Sequence, residues 1–133
     1  MSLMTEPVRS PEIEKIAQRT LERLPAAFQA AAREITLLVM EHAPRDVLAD
    51  FGMSDPLELT GLYSGVPLTE RSFDGGPYGP AEIHLYRAAI EAELLDRRNV
   101  SLEELVAHIT VHEMAHHLGW SDDDIAAIDP WWE

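Results

Sequence analysis

The sequence predicts an α+β domain, a small mixed sheet packed on helices, with one long helix at about residues 101–118. Three observations lead there. Short β-branched or alternating runs stand at 35–40, 61–66 and 81–87. Alanine- and Glu-rich segments of helical period lie between and around them. The last helix opens on a capping box, with the Ser101 hydroxyl at the N-cap and Glu104 three residues on.

In chain order, residues 11–24 read as a helix, with Ile13, Ile16, Ala17, Thr20 and Leu24 near helical spacing. Pro25 interrupts it, as a break or as the first residue of a second helix reaching about Arg33. The run Ile35-Thr36-Leu37-Leu38-Val39-Met40 suits a buried strand, and residues 46–51 a short helix ending at Gly52. Residues 61–66 read as a second strand. Glycines and prolines make 72–80 a loop. In 81–87, apolar Ile83 and Leu85 alternate with polar Glu82 and His84, so a strand with one solvated face is expected, with His84 exposed. A helix over 88–96 follows.

Composition bounds the function. At 133 residues, 4–133 read as one domain, with Met1-Ser2-Leu3 ahead of Met4 taken as an added segment. No run approaches the roughly 20 apolar residues of a membrane span, and no signal peptide is evident. The expected location is therefore the cytoplasm. Without cysteine there is no disulfide and no thiolate metal site, so any metal must be held by His, Asp or Glu. The formal net charge of -14 disfavours nucleic acid and anionic lipid and favours a basic peptide or protein partner.

The long helix carries two apolar stripes. Leu102, Leu105, Val106 and Ile109 form one, and Val111, Met114, Ala115 and Leu118 the other. A helix apolar on two sides is expected in the middle of a domain. The polar residues within it, His108, His112, Glu113 and His116, then need partners or a metal.

His112 and His116 stand at i and i+4, one turn apart on one face, where both imidazoles can reach one zinc ion at about 2.0–2.1 Å. Glu113 lies about 100° round, beside the metal, placed to take a proton from a metal-bound water. Gly119 can end the helix with positive φ and turn the chain back, so that Asp122 supplies a third ligand and water the fourth. Asp122 also reads as part of Ser121-Asp122-Asp123-Asp124, an N-cap with acids in a first helical turn. His108 is too far from His116, about 12 Å along the axis, to share its ion. It reads as a supporting polar residue, and His117 as peripheral. Trp120, Trp131 and Trp132 read as packing residues.

His112-Glu113-x-x-His116-x-x-Gly119-x-x-Asp122 resembles the zincin metallopeptidases whose third ligand is aspartate, as in snapalysin-like enzymes. The chain is also similar to the small bacterial family of minimal zincins. The segment from Gly61-Leu62-Tyr63-Ser64-Gly65 to Arg71, then Ile83-His84-Leu85-Tyr86-Arg87, then the metal motif, stand in that family's order from about Leu24 onward. The resemblance implies a zincin-like α+β fold and peptide hydrolysis with Zn2+ as cofactor, and it makes 81–87 the strand edge on which an extended substrate would pair. The Gly-Leu-Tyr segment is a family marker without an evident chemical role. Larger metzincins place a methionine turn below the metal, whereas here 11 residues follow Asp122 and none is Met. The bulk forming a second cleft wall is also missing, so either the cleft is shallow or a partner or second subunit completes it. The alternatives are a non-catalytic zinc-binding module that recognises a partner protein, and a metal-dependent ribonuclease similar to the bacterial rRNA-maturation proteins. Those proteins lack the Glu that follows the first His here.

Overall fold

The computed structural model describes residues 7–71 and 78–121. Helix α1 (Ser10–Glu22) is followed by a 3-10 turn (Ala26–Phe28), α2 (Gln29–Arg33) and strand β1 (Ile35–Met40). Then come α3 (Arg45–Asp50), β2 (Gly61–Ser64), β3 (Ala81–Tyr86), α4 (Arg87–Arg97) and α5 (Leu102–His117). The architecture is α+β, a small three-stranded mixed sheet with five helices. Among the described residues no helix is long and apolar enough to cross a membrane.

Pro25 is a break. It stands ahead of the 3-10 turn with an extended ψ of 150°, and α2 begins only at Gln29. The Gln29 amide Nε2 donates to the carbonyls of Leu21, Glu22 and Leu24, which supplies a partner where α1 ends.

The strand order is β1-β3-β2, with β1 parallel and β2 antiparallel to β3. The expectation that 81–87 offers a free edge is therefore overturned, because β3 is the central strand and is paired on both sides. Its polar positions are not a solvated face either. Glu82 and His84 are half-buried, joined by a 2.8 Å contact between His84 Nε2 and Glu82 Oε1. Among the described residues, the free edge next to α5 belongs to β2.

One face of the sheet carries the main core. Ile83 and Leu85 of β3 pack with Ile13, Ile16, Ala17 and Leu21 of α1 and with Leu105, Val106, Ile109 and Met114 of α5. Each fully buried aliphatic side chain here contributes about 1.5–3 kcal/mol. A smaller cluster joins Tyr86 to Leu48 of α3, Leu59 and Ala89.

Helix α5 is capped as expected: Ser101 Oγ accepts from the Glu104 N–H, and the Glu104 carboxylate accepts from the Ser101 N–H. Its burial is one-sided, however. Leu105, Val106, Ile109, Thr110, Glu113, Met114 and His117 are buried, whereas Val111 is exposed and Ala115 and Leu118 are half-buried. Of the second apolar stripe, Met114 is buried and Leu118 packs against the core, while among the described residues nothing covers Val111.

Candidate functional site

Helix α5 sets out the site by its own period. The rings of His112 and His116 lie with centroids 5.0 Å apart. Two imidazoles on one tetrahedral ion, each at about 2.0–2.1 Å, would place their centroids roughly 5 Å apart. The pair is therefore already at ligating separation. The His116 ring is held by its Nδ1, 2.9 Å from the carbonyl of Trp120. A carbonyl only accepts, so Nδ1 carries a proton; in the neutral ring the lone pair is then on Nε2, the tautomer a metal ligand needs.

That carbonyl is in reach because of Gly119. The chain leaves α5 through Gly119 at φ +96°, with the Gly119 N–H donating to His116 and the Trp120 N–H to Ala115. These two bonds make a Schellman cap. It satisfies the last carbonyls and bends the backbone back over the second histidine. A Cβ at Gly119 would also strike the side chain of Thr69, so the turn at Leu68–Glu70 seats against a bare glycine.

Glu113 is 9% exposed on the sheet side of the helix. A carboxylate so far out of water must be paired, hydrogen-bonded or bound to a metal. Tyr86, fully buried, feels it: burial first, and then the Glu113 charge, raise the phenol above its ordinary value. His108 lies 6.3 Å from His112, centroid to centroid, and does not join the pair. Among the described residues no group of three metal-binding side chains comes together. Asp122 lies outside the described residues, as do Trp131 and Trp132.

His112, Glu113 and His116 form one wall of a cleft of about 590 Å³, and Gly61, Leu62 and Tyr63 of β2 form another. Gly61 makes this approach possible, since a Cβ there would lie 2.7 Å from Ile109 Cγ2 of α5. The Tyr86 N–H donates to the Thr60 carbonyl just ahead of β2. Antiparallel pairs alternate in hydrogen bonding. Leu62 and Ser64 therefore share the bonded register with β3, and the main-chain groups of Gly61 and Tyr63 point outward along the free edge.

His117 is a second departure from expectation. It is fully buried, not peripheral, with Nδ1 2.6 Å from the Tyr63 hydroxyl. Its Nε2 is 3.7 Å from Glu34 Oε1, too far for a hydrogen bond. Glu34 in turn accepts from Arg71 at 3.1 Å. Burial lowers the pKa of His117, so the neutral ring prevails. A lone pair facing a carboxylate would be repelled, which places the His117 proton on Nε2 and makes Tyr63 the donor to Nδ1. Trp120 departs too: it is 40% exposed and borders the cleft, not the core. Sequence reasoning missed Tyr63, although the Gly-Leu-Tyr segment had marked its position.

None of the curated proteins matches the chain. A family model described as zincin-like metallopeptidase matches residues 32–132, a span that takes in the sheet, the free edge of β2 and all of α5. The chain belongs to the zincin-like metallopeptidase family.

Proposed function

We propose that the protein is a zinc-dependent peptidase, with His112, His116 and Asp122 as metal ligands and Glu113 as general base. The observation that carries this reading is the ligating separation of the His112 and His116 rings beside a buried Glu113, facing a free strand edge. A bound zinc ion would supply Lewis acidity and a water of lowered pKa.

The chain's own residues would do the rest. An extended peptide adds to the edge of β2, where the outward main-chain groups of Gly61 and Tyr63 pair with it irrespective of sequence. That pairing brings a peptide carbonyl over the histidine pair. Glu113 takes the proton of the attacking water and delivers it to the leaving amine. The Trp120 carbonyl keeps His116 in its ligating tautomer throughout. The expected setting is the cytoplasm and the expected partner a peptide or protein, with neither nucleic acid nor membrane involved.

Metal analysis and proteome-wide cleavage profiling test the proposal, comparing the wild type with Glu113→Gln. One zinc per chain with cleavage that the variant loses supports it. Absence of zinc, or full activity in the variant, refutes it. Stoichiometric zinc without any turnover would instead support a non-catalytic partner-recognition module.

A further inference from the structure

Residues 61–71, so far a family marker alone, meet α5 at Ile109, at His117 and just beyond the helix at Gly119. Gly61 lets β2 close on Ile109. The Tyr63 hydroxyl reaches His117 Nδ1 at 2.6 Å, and bare Gly65 leaves room for that hydroxyl. Thr69 seats on Gly119, where its Oγ1, Cγ2 and Cβ fill the space a Cβ would take.

The contact at Gly119 bears on the histidine pair. The bend after α5 passes through Gly119 at φ +96° and carries the Trp120 carbonyl to 2.9 Å from His116 Nδ1. A glycine gives such a bend no steric restraint of its own, and helix ends fray. Gly119 and Trp120 are both exposed, so burial does not hold the bend. Thr69 supplies the restraint from outside. Its β-branched side chain is stiff at χ1, and both γ atoms face the glycine.

The turn that carries Thr69 is itself fixed. It spans Leu68–Glu70, with the Glu70 N–H donating to the Pro67 carbonyl at 2.9 Å. Arg71 closes it: Nε donates to the Val66 carbonyl at 3.2 Å and Nη1 to Glu34 Oε1 at 3.1 Å, just ahead of β1. The guanidinium also lies over the Tyr78 ring, 5.3 Å from its centroid. A planar fork makes these contacts together, and a lysine ammonium does not. A connected line thus runs from Glu34 through Arg71, Thr69, Gly119 and Trp120 to the His116 ring.

We propose that Thr69, anchored by Arg71, is a positioning residue of the metal site: it props the Gly119 bend and so keeps the Trp120 carbonyl on His116 Nδ1. Resting on the zinc reading of His112 and His116, this assignment adds what sets the second ligand. A ring held in this way meets an ion in its ligating tautomer, with little ordering left to do on binding.

Two readouts test this. In zinc-free protein at about pH 8, where imidazoles are ordinarily neutral, nitrogen–proton correlation spectra of the rings report which nitrogen holds the proton. His116 should be in the Nδ1–H form in the wild type and average between the two forms in Thr69→Ala. The His117 ring, held by Tyr63, should keep its signals. In a chelator competition, Thr69→Ala should bind zinc about tenfold more weakly. Thr69→Val keeps the branched shape and should match the wild type in both readouts, whereas Arg71→Lys should resemble Thr69→Ala. An unchanged His116 ring and zinc affinity in Thr69→Ala would overturn the prop, as would a valine variant no better than alanine. Movement of the His117 ring together with His116 would also overturn it, since that marks a general loosening of α5. If the wild type takes up no zinc but Thr69→Ala still frees the His116 ring alone, the prop stands and the zinc reading falls.

Discussion

The Tyr63 hydroxyl lies 2.6 Å from Nδ1 of His117, and this bond ties the free edge strand to the last turn of the helix that carries the histidine pair. His117 is fully buried and Tyr63 half-buried. Tyr63→Phe removes the donor and leaves a buried acceptor unsatisfied. It should cost about 1–3 kcal/mol, read as a lower urea midpoint at unchanged m. A double-mutant cycle with His117→Ala should return a coupling near 1 kcal/mol, and additive costs would show that the bond contributes nothing.

Glu113→Gln keeps the shape of the side chain and removes its basicity. Peptide hydrolysis should fall about 10²- to 10⁴-fold with one zinc per chain retained, measured by metal analysis and initial rates on the same preparation.

Asp122 admits two readings that one substitution separates. If it is the third ligand, Asp122→Ala should weaken zinc binding strongly in a chelator competition, as His116→Ala should. If it is a helix cap, the same variant should retain zinc and lose about 1 kcal/mol of stability. Asp122→Asn sharpens the test, because asparagine caps well and ligates poorly.

Gly119 combines φ +96° with a Cβ position already taken by Thr69. Gly119→Ala should therefore destabilise by more than the ~1 kcal/mol of left-handed backbone strain alone. It should also displace the Trp120 carbonyl from His116, so zinc affinity should drop about 10- to 100-fold. Thermal melts with and without zinc check both effects. Equal melting temperatures for the variant and wild type would contradict them.

Arg87 donates from Nε and Nη2 to the two oxygens of Glu41, each at 2.7 Å, and holds that carboxyl below its ordinary value. A depressed folded-state pKa contributes stability that is present above the ordinary carboxylate range and lost as pH falls through the folded value. Glu41→Gln should thus melt slightly below the wild type at pH 7, and the gap should close in acid. A gap that persists at pH 2–3 would rule out this ion pair as its source. Glu41 is exposed, so added salt should shrink the effect.

The local features are legible in the order of the amino acids. The capping box, the helical period that stacks His112 on His116, the helix end at Gly119 and the identities of the three strands all rest on residues within a turn or two of each other. Short-range geometry governs such features, and it is the same in any fold. The family relationship was legible for the same reason, since its motif is local.

Which strand is central depends on the folded arrangement. Alternation in 81–87 records that one face differs from the other, not which edge is paired, and the pairing of β3 with both neighbours depends on contacts 18 to 46 residues apart in the chain. The folded arrangement also decides that Val111, on the second stripe of α5, is exposed, because periodicity marks a face as apolar without saying what covers it. His117 was misread for a related reason. Its angle from His116 was right, but the element it turns toward, β2 with Tyr63, is brought there by the sheet.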